Sequence, residues 1–325
     1  MKINLSSFLQ WRINVYMCKT LGWNFAFFYI RTLGKIYFFF NRKENGKIKK
    51  AIKTVFSNGR HVANIRRITK DVFRGIFSHY FEKFFNVYST SRTLRTFVKT
   101  NMEGEGLEAI QQGLAKGNGV LLITGHFGGV EFIPAFLGAN NFPVTIVAKF
   151  KSNDLREVSL EQASRFSTKI IDANHTPNII RAICNDLKEN RVVITQCDEI
   201  DEWKPCRHNK ICFLGKRIRL DKTLNILAKR CAAEIVFGVM HRSAKHRYKF
   251  VATSWNKMAA KHQRSLDMPI GAVLLKFMER HIYKHPEEWY QWKKYTALDT
   301  FAPSGSKANI SPPLPVLKPV FGKMA

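Results

Sequence analysis

Hydrophobic and polar positions along this chain follow a pattern that predicts short strands separated by helices. Apolar runs with the composition of buried strands lie at 120–124, 142–148, 191–196 and 233–240. Segments with helical spacing of their apolar residues lie at 107–115, 130–137, 155–166, 179–189 and 221–230. The alternation predicts an α/β fold with a mostly parallel central sheet that helices cover on both faces.

The first hundred residues differ from the rest in charge and aromatic content. They carry 20 of the 53 basic side chains and only three acidic ones, together with a dense aromatic stretch from Trp23 to Phe40. Rings interspersed with cations suit the headgroup region of an anionic membrane, where rings are buried and cations meet phosphates. Because Arg31 and Lys35 interrupt the apolar run, we favour an amphipathic helix on the bilayer surface. A tilted spanning helix and a buried core helix are the alternatives.

These patterns divide the chain into three parts. Residues 1–43 are predicted to be a membrane-interfacial or membrane-anchoring helical segment, and residues 44–300 an α/β domain. Residues 301–325 contain five of the eleven prolines, which predicts a disordered tail. The formal net charge of +29 restricts the expected partners to anionic ones, namely nucleic acid, anionic lipid or an acidic protein.

Six cysteines are scattered without a Cys-x-x-Cys pair, which is typical of reduced thiols in the cytosol. Cys197, Cys206, His208 and Cys212 are close in sequence, but their spacing does not match the ligand pairs of zinc sites. We therefore predict no metal site and no cofactor. A basic nucleic-acid-binding protein with zinc at these residues, and a membrane scaffold without activity, are the alternatives to an enzyme.

The stretch from Gly119 to Glu131 is the strongest candidate for chemistry. It runs from a buried strand through a glycine-rich turn into a helix, with His126 in the turn. A histidine that is hydrogen-bonded to a carboxylate has a fixed tautomer and a stabilised imidazolium, as a general base requires. Gly128 and Gly129 are candidates for backbone N–H groups that receive a developing oxyanion. A histidine that caps the turn beside a solvated glutamate is the structural alternative.

The segment Thr124-Gly-His126-Phe-Gly-Gly-Val-Glu131 resembles the His-x4-Glu motif of the lysophospholipid-acyltransferase superfamily, and specifically the late acyltransferases of lipid A biosynthesis (the lauroyl/myristoyl transferase family). Further segments are similar to that family in the same order, at 147–154, 191–198, 213–230 and 286–294. Lys149 stands where that family usually has an arginine, and its Pro-Asp-x-Asp pattern reads Gln196-Cys-Asp198-Glu here.

The resemblance implies transfer of a fatty acyl chain from an acyl carrier protein thioester, or from acyl-coenzyme A, to a hydroxyl of an anionic membrane lipid of the lipid A precursor type. It implies His126 as the general base, Glu131 as the residue that orients it, and the cytoplasmic face of the bacterial inner membrane as the location, with peripheral or single-span attachment. The substrate-binding candidates are Lys149, Lys151, Asp198, Arg217 and Arg219. Other glycolipids, aminolipids and lysophospholipids remain alternative acceptors, and nucleic acid is not expected as a partner.

Overall fold

The computed structural model describes residues 5–57, 64–150, 152–200, 204–260 and 268–298. The predicted tail lies outside these ranges, as does Lys151. The amino-terminal helices are α1 (Leu5–Leu9), α2 (Arg12–Leu21), α3 (Trp23–Phe40), α4 (Arg42–Phe56), α5 (Ile65–Tyr88) and α6 (Ser91–Asn101).

Strands and helices alternate after α6. The strands are β1 (Met102–Glu105), β2 (Val120–Thr124), β3 (Val144–Ala148), β4 (Thr168–Asp172), β5 (Val192–Gln196), β6 (Pro205–Phe213), β7 (Lys216–Asp221), β8 (Glu234–Ala244) and β9 (Arg247–Ser254). The helices are α7 (Leu107–Ala115), α8 (Ile133–Ala139), α9 (Asn153–Ser164), α10 (Ile179–Lys188), α11 (Thr223–Arg230), α12 (Trp255–Ala260) and α13 (Ile270–Lys284). Short 3-10 helices cover Val130–Phe132, Pro286–Glu288 and Gln291–Ala297.

Seven strands form the central sheet, in the order β1-β9-β8-β2-β5-β3-β4. Strands β8 and β9 pair antiparallel, while the other neighbours in this sheet pair parallel. Strands β6 and β7 form a separate antiparallel pair. The predicted mostly parallel sheet flanked by helices is therefore confirmed.

Side chains of β2 show why this strand is apolar without interruption. Successive side chains of a strand point to opposite faces, and both faces of β2 are covered. Leu121 packs into one core cluster with Leu187 of α10, and Leu122 packs into the other with Phe136 of α8. A strand that is buried on both faces has apolar residues at successive positions, without polar alternation.

Helix α3 packs one face against α5 and leaves the other exposed. Its buried residues include Ile30 and Phe38, and the ring of Phe27 lies 5.2 Å from that of Phe81 in α5. Phe39 and Phe40, at the end of α3, are largely exposed. Among the helices of the described ranges, none combines the length and apolar character needed to cross a bilayer.

Two cysteines depart from the expectation of reduced thiols. Cys184 in α10 and Cys231, directly after α11, form a disulfide across 5.7 Å between their Cα atoms. The sequence-based expectation is therefore wrong for this pair. The separation of 47 positions along the chain, and the absence of a Cys-x-x-Cys spacing, hide the pairing from sequence inspection. Contact between α10 and α11 brings the two residues together.

Candidate active site

His126 and Asp198 meet because their strands are parallel neighbours. Strand β2 ends at Thr124, which is in register with Gln196 at the end of β5. The turn after each strand therefore begins at the same edge of the sheet, where open α/β sheets bind their ligands. Nδ1 of His126 lies 2.9 Å from Oδ1 of Asp198, and the backbone N–H of His126 also donates to this carboxylate at 3.0 Å. Since a carboxylate only accepts hydrogen bonds, Nδ1 of His126 carries a proton.

The closing segment of the described chain completes the pair. Trp289 donates its indole N–H to the second carboxylate oxygen of Asp198 at 2.7 Å. The next residue, Tyr290, donates its backbone N–H to the carbonyl of His126 at 3.2 Å. Both Asp198 and Trp289 are fully buried, with 0% exposure. The carboxylate is thus fixed from two sides. Its hydrogen bond to Nδ1 in turn fixes the imidazole.

A second carboxylate faces the other ring nitrogen of His126. Oε2 of Glu199 lies 3.3 Å from Nε2, and its Oε1 lies 3.6 Å from Nζ of Lys294. Burial alone disfavours the imidazolium, but Asp198 and Glu199 outweigh burial and raise the pKa of His126 to about 9. Burial pushes the pKa of Asp198 upward, yet the charge and hydrogen bonds of His126 lower it. In this arrangement His126 is charged at neutral pH.

Glu131 does not take the position that the sequence predicts for it. It lies in the 3-10 helix Val130–Phe132, which turns its carboxylate toward Nε2 of His79 in α5, at 3.8 Å. Burial lowers the pKa of His79 well below its usual range, so this contact joins a neutral imidazole to a carboxylate. The residue that orients His126 is Asp198, and the expected orienting role of Glu131 is corrected.

The two glycines proposed for the oxyanion have their N–H groups engaged elsewhere. The N–H of Gly128 donates to the carbonyl of Glu288 and that of Gly129 to the carbonyl of Met240, both at 2.8 Å. The oxyanion role is therefore wrong for both residues. Gly128 has a φ of 58°, and a Cβ there would overlap the carbonyl oxygen of Met240. The glycines allow the turn to pack directly against β8.

A cavity of about 360 Å³ opens beside this pair, within the size range of small-molecule sites. Its buried lining is mostly apolar, with Leu94, Phe166 and Ile194, and also includes Thr124 and Thr168. Charged side chains that remain partly exposed also line it: Lys83, Glu131, Lys149 and Glu199. The cavity therefore has an apolar interior and a charged opening.

A family model matches most of the chain. Its description is bacterial lipid A biosynthesis acyltransferase, and the match covers residues 5–294, which include the histidine turn, Asp198 and the closing segment. The chain belongs to this family. A comparison with curated proteins found no match. Family membership confirms that this chain is an acyltransferase enzyme of lipid A biosynthesis, as the sequence predicts.

The remaining predicted binding residues of the acyltransferase fall in different places. Lys149 follows β3 and lines the cavity. Arg217 and Arg219 lie on β7, in the separate two-stranded sheet, and neither is among the described residues that line the cavity. The structure therefore brings Lys149 to the site and leaves the two arginines apart from it.

A buried ion pair ties the amino-terminal helices of the acyltransferase to the histidine turn. Arg242 of β8 contacts both carboxylate oxygens of Glu82 in α5, at 2.6 and 2.8 Å, and also donates to the carbonyl of Gly128 at 2.8 Å. Tyr248 adds a hydrogen bond to Glu82 at 3.0 Å. Because Glu82 is fully buried, this network fixes the turn relative to α5.

Sequence inspection overlooked Glu199, Trp289 and His79 as site residues. Glu199 follows Asp198 directly, and Trp289 lies in the Pro-Glu-x-Trp segment that resembles the family. The ends of adjacent apolar strands were the available signal, since their turns must meet at one edge of a parallel sheet. His79 reaches the site only through the packing of α5, which no local pattern reveals.

Proposed function

We propose that this acyltransferase moves a fatty acyl chain from the thioester of an acyl carrier protein to a hydroxyl of an anionic membrane lipid of the lipid A precursor type. The observation that carries this proposal is the His126–Asp198 pair beside a cavity with an apolar interior and a charged opening. A fatty acyl substrate has the same two-part character.

His126 acts as the general base in this proposal. A hydroxyl is a poor nucleophile, so a base must take its proton while the oxygen attacks the thioester carbon. Asp198 holds Nδ1–H, which directs the lone pair of Nε2 toward the acceptor once the imidazole is neutral. The new C–O bond forms as the C–S bond breaks, and the proton passes from His126 to the leaving thiolate. Direct transfer of this kind requires no serine or cysteine nucleophile.

The lining of the cavity suits both substrates. Each CH₂ of an acyl chain buried among Leu94, Phe166 and Ile194 contributes about 0.8 kcal/mol. Lys83 and Lys149, at the charged opening, suit phosphate groups of the acceptor or of the phosphopantetheine arm of the carrier. Glu131 faces the same opening, and we assign it a contact with the acceptor headgroup.

The amino-terminal helices support action at a membrane surface. Exposed aromatic residues of α2 and α3, such as Tyr16, Phe28 and Phe40, lie among the cations Lys19 and Lys35. This combination suits the interface of an anionic bilayer, and we propose peripheral attachment to the cytoplasmic face of the inner membrane. The net charge of +29 would also attract an acidic carrier protein.

A transfer assay with a matched histidine control tests the proposal. The protein is incubated with acylated carrier protein or acyl-coenzyme A and with a lipid A precursor or a lysophospholipid, and products are measured by mass spectrometry. His126→Ala should lower turnover by about a hundredfold or more. His175→Ala removes a histidine that also contacts an aspartate, Asp172, but is largely exposed, and should leave turnover unchanged. Equal turnover of His126→Ala and wild type would refute the assigned base.

A further inference from the structure

The second ring nitrogen of His126 is occupied in the substrate-free site. Nε2 lies 3.3 Å from Glu199, while Nδ1 is bound to Asp198. A carboxylate this close to Nε2 favours a proton on that nitrogen as well, because its negative charge stabilises the imidazolium. A general base needs a free lone pair, so His126 cannot accept a proton while Glu199 stays in place.

Glu199 reaches both His126 and the cavity. It lines the cavity, whereas His126 is not among the lining residues of the described chain, and the side chain of His126 is only 13% exposed. The Glu199 side chain is 37% exposed, so it has room to turn. Its other oxygen already lies 3.6 Å from Lys294, which offers a cationic partner when the contact with His126 breaks.

We propose that Glu199 is a positioning residue that holds His126 in its charged, inactive form in the empty site and releases it when an acceptor hydroxyl takes its place at Nε2. This inference rests on the proposed function, in which His126 is the general base. It deepens that function by making the base available only when an acceptor is bound.

The protons balance in this sequence of steps. The Nε2 proton of His126 is transferred to the carboxylate of Glu199 and from there to solvent, and Glu199 turns toward Lys294. The acceptor hydroxyl then donates its hydrogen bond to the neutral Nε2 and transfers its proton there as its oxygen attacks. The same proton protonates the thiolate that leaves with the carrier. An acyl thioester alone therefore meets a charged imidazolium and no base, which disfavours its loss to water.

The charged and titratable groups around His126 shift its pKa and that of Glu199. Asp198 and Glu199 from the turn after β5 favour the imidazolium, and the pKa of His126 is raised to about 9 although burial opposes this. The cations of His126 and Lys294 lower the pKa of Glu199, although burial raises it. Further ionisable groups near His126 in the described part of the chain include Cys197 beside Asp198, Tyr290, whose ring centre lies 5.2 Å from that of His126, His79 on α5, and Glu131, which lines the cavity.

Glu199→Gln tests the proposal because it removes the charge and keeps the shape. The titration of His126 is followed by NMR of protein labelled at histidine, with His126→Ala identifying the signal. We expect the titration midpoint of His126 in Glu199→Gln to fall by about one pH unit or more. The acid limb of the pH–rate profile should shift to lower pH by the same amount, and the rate at pH 7 should rise several-fold.

Two further variants separate this effect from a general change of charge or packing. Glu189→Gln makes the same charge change at the end of α10, where Glu189 contacts Lys169 at 3.7 Å, and should leave the midpoint and the profile in place. Glu199→Asp keeps the charge on a shorter side chain, so its midpoint should lie between those of wild type and Glu199→Gln.

Two outcomes would overturn the proposal. An unchanged midpoint in Glu199→Gln would show that the contact does not control the charge of His126. A rate that falls at every pH, without movement of the acid limb, would make Glu199 a group that turnover requires. The NMR midpoint needs no turnover, so loss of the proposed function itself would appear separately, as wild-type protein that transfers no acyl group.

Discussion

Asp198 accepts two hydrogen bonds from a single residue, one from the backbone N–H of His126 at 3.0 Å and one from its ring at 2.9 Å. The two bonds fix the ring and the main chain of His126 together. Rotation of the imidazole would therefore break a contact that also holds the turn in place. The orientation of His126 is thus set at the edge of the sheet, because His126 and Asp198 each lie two residues after the end of a strand in the same parallel pair.

Asp198→Asn should lower turnover by about a hundredfold or more while the protein stays folded, because an amide of the same shape no longer stabilises the imidazolium that forms as His126 takes the proton of the acceptor. The rate of acyl transfer and the circular dichroism spectrum measure the two effects. Asp172→Asn changes the aspartate that contacts the exposed His175, and it should retain wild-type turnover. Similar rates for the two variants would contradict the role of Asp198.

The charge of His126 should also make stability depend on pH. Its pKa is about 9 in the folded protein and 6.5 in an unfolded chain, so the charged form stabilises the fold. This contribution is fully present below pH 6.5 and is lost as pH rises through about 9. The free energy of unfolding of the wild type should therefore fall over this range. His126→Gln should lack that part of the decrease when both are unfolded in urea at about pH 6 and about pH 10. Parallel curves would show that His126 is not stabilised in its charged form.

Arg242→Met should reduce the free energy of unfolding by about 3–5 kcal/mol, because it leaves the carboxylate of Glu82 buried without its cation. Arg67→Met breaks an exposed pair with Asp71 at 3.8 Å, and should cost less than about 1 kcal/mol. Chemical denaturation measures both values. A cost for Arg242→Met as small as that of the control would mean that α5 does not depend on this ion pair.

The double variant Phe39→Ser and Phe40→Ser should weaken binding to vesicles that contain anionic lipid by about tenfold or more. Both rings are mostly exposed, and burying a Phe side chain in an apolar environment contributes about 1.5–3 kcal/mol. Co-sedimentation at low and high salt measures the affinity. Met268→Ser, at an exposed apolar residue outside α3, is the matched control and should bind as wild type does. Unchanged binding of the double variant would exclude this end of α3 from the membrane contact.

Local sequence patterns predict the elements that are buried on one whole face or on both faces. The strand at 120–124 and the helix at 107–115 have the predicted bounds, because β2 is covered on both faces and α7 on one. Strand β4 was overlooked because Thr168 and Lys169 interrupt its apolar character, and Lys169 is paired with Asp186 at 2.6 Å. Ion pairs of this kind make an edge strand resemble a loop in the sequence.

The histidine of the site could be found from the sequence, but its partners could not. Glu131 is close to His126 along the chain, and the spacing suggests a pair, yet a 3-10 turn directs Glu131 to His79. Asp198 lies 72 positions away and reaches His126 through the register of β2 and β5. Backbone pairing over such a separation leaves no periodic trace in a single sequence. The glycine N–H groups failed as oxyanion donors for the same reason, since their acceptors belong to distant segments.

The indole of Trp289 that holds Asp198 has a consequence for how the enzyme is made. During translation the histidine turn leaves the ribosome long before the segment that carries Trp289 has been synthesised. A nascent chain can therefore fold its sheet and dock its amino-terminal helices while Asp198 still lacks one hydrogen-bond donor. The carboxylate beside His126 therefore gains this donor only after all the described strands of the sheet have been made.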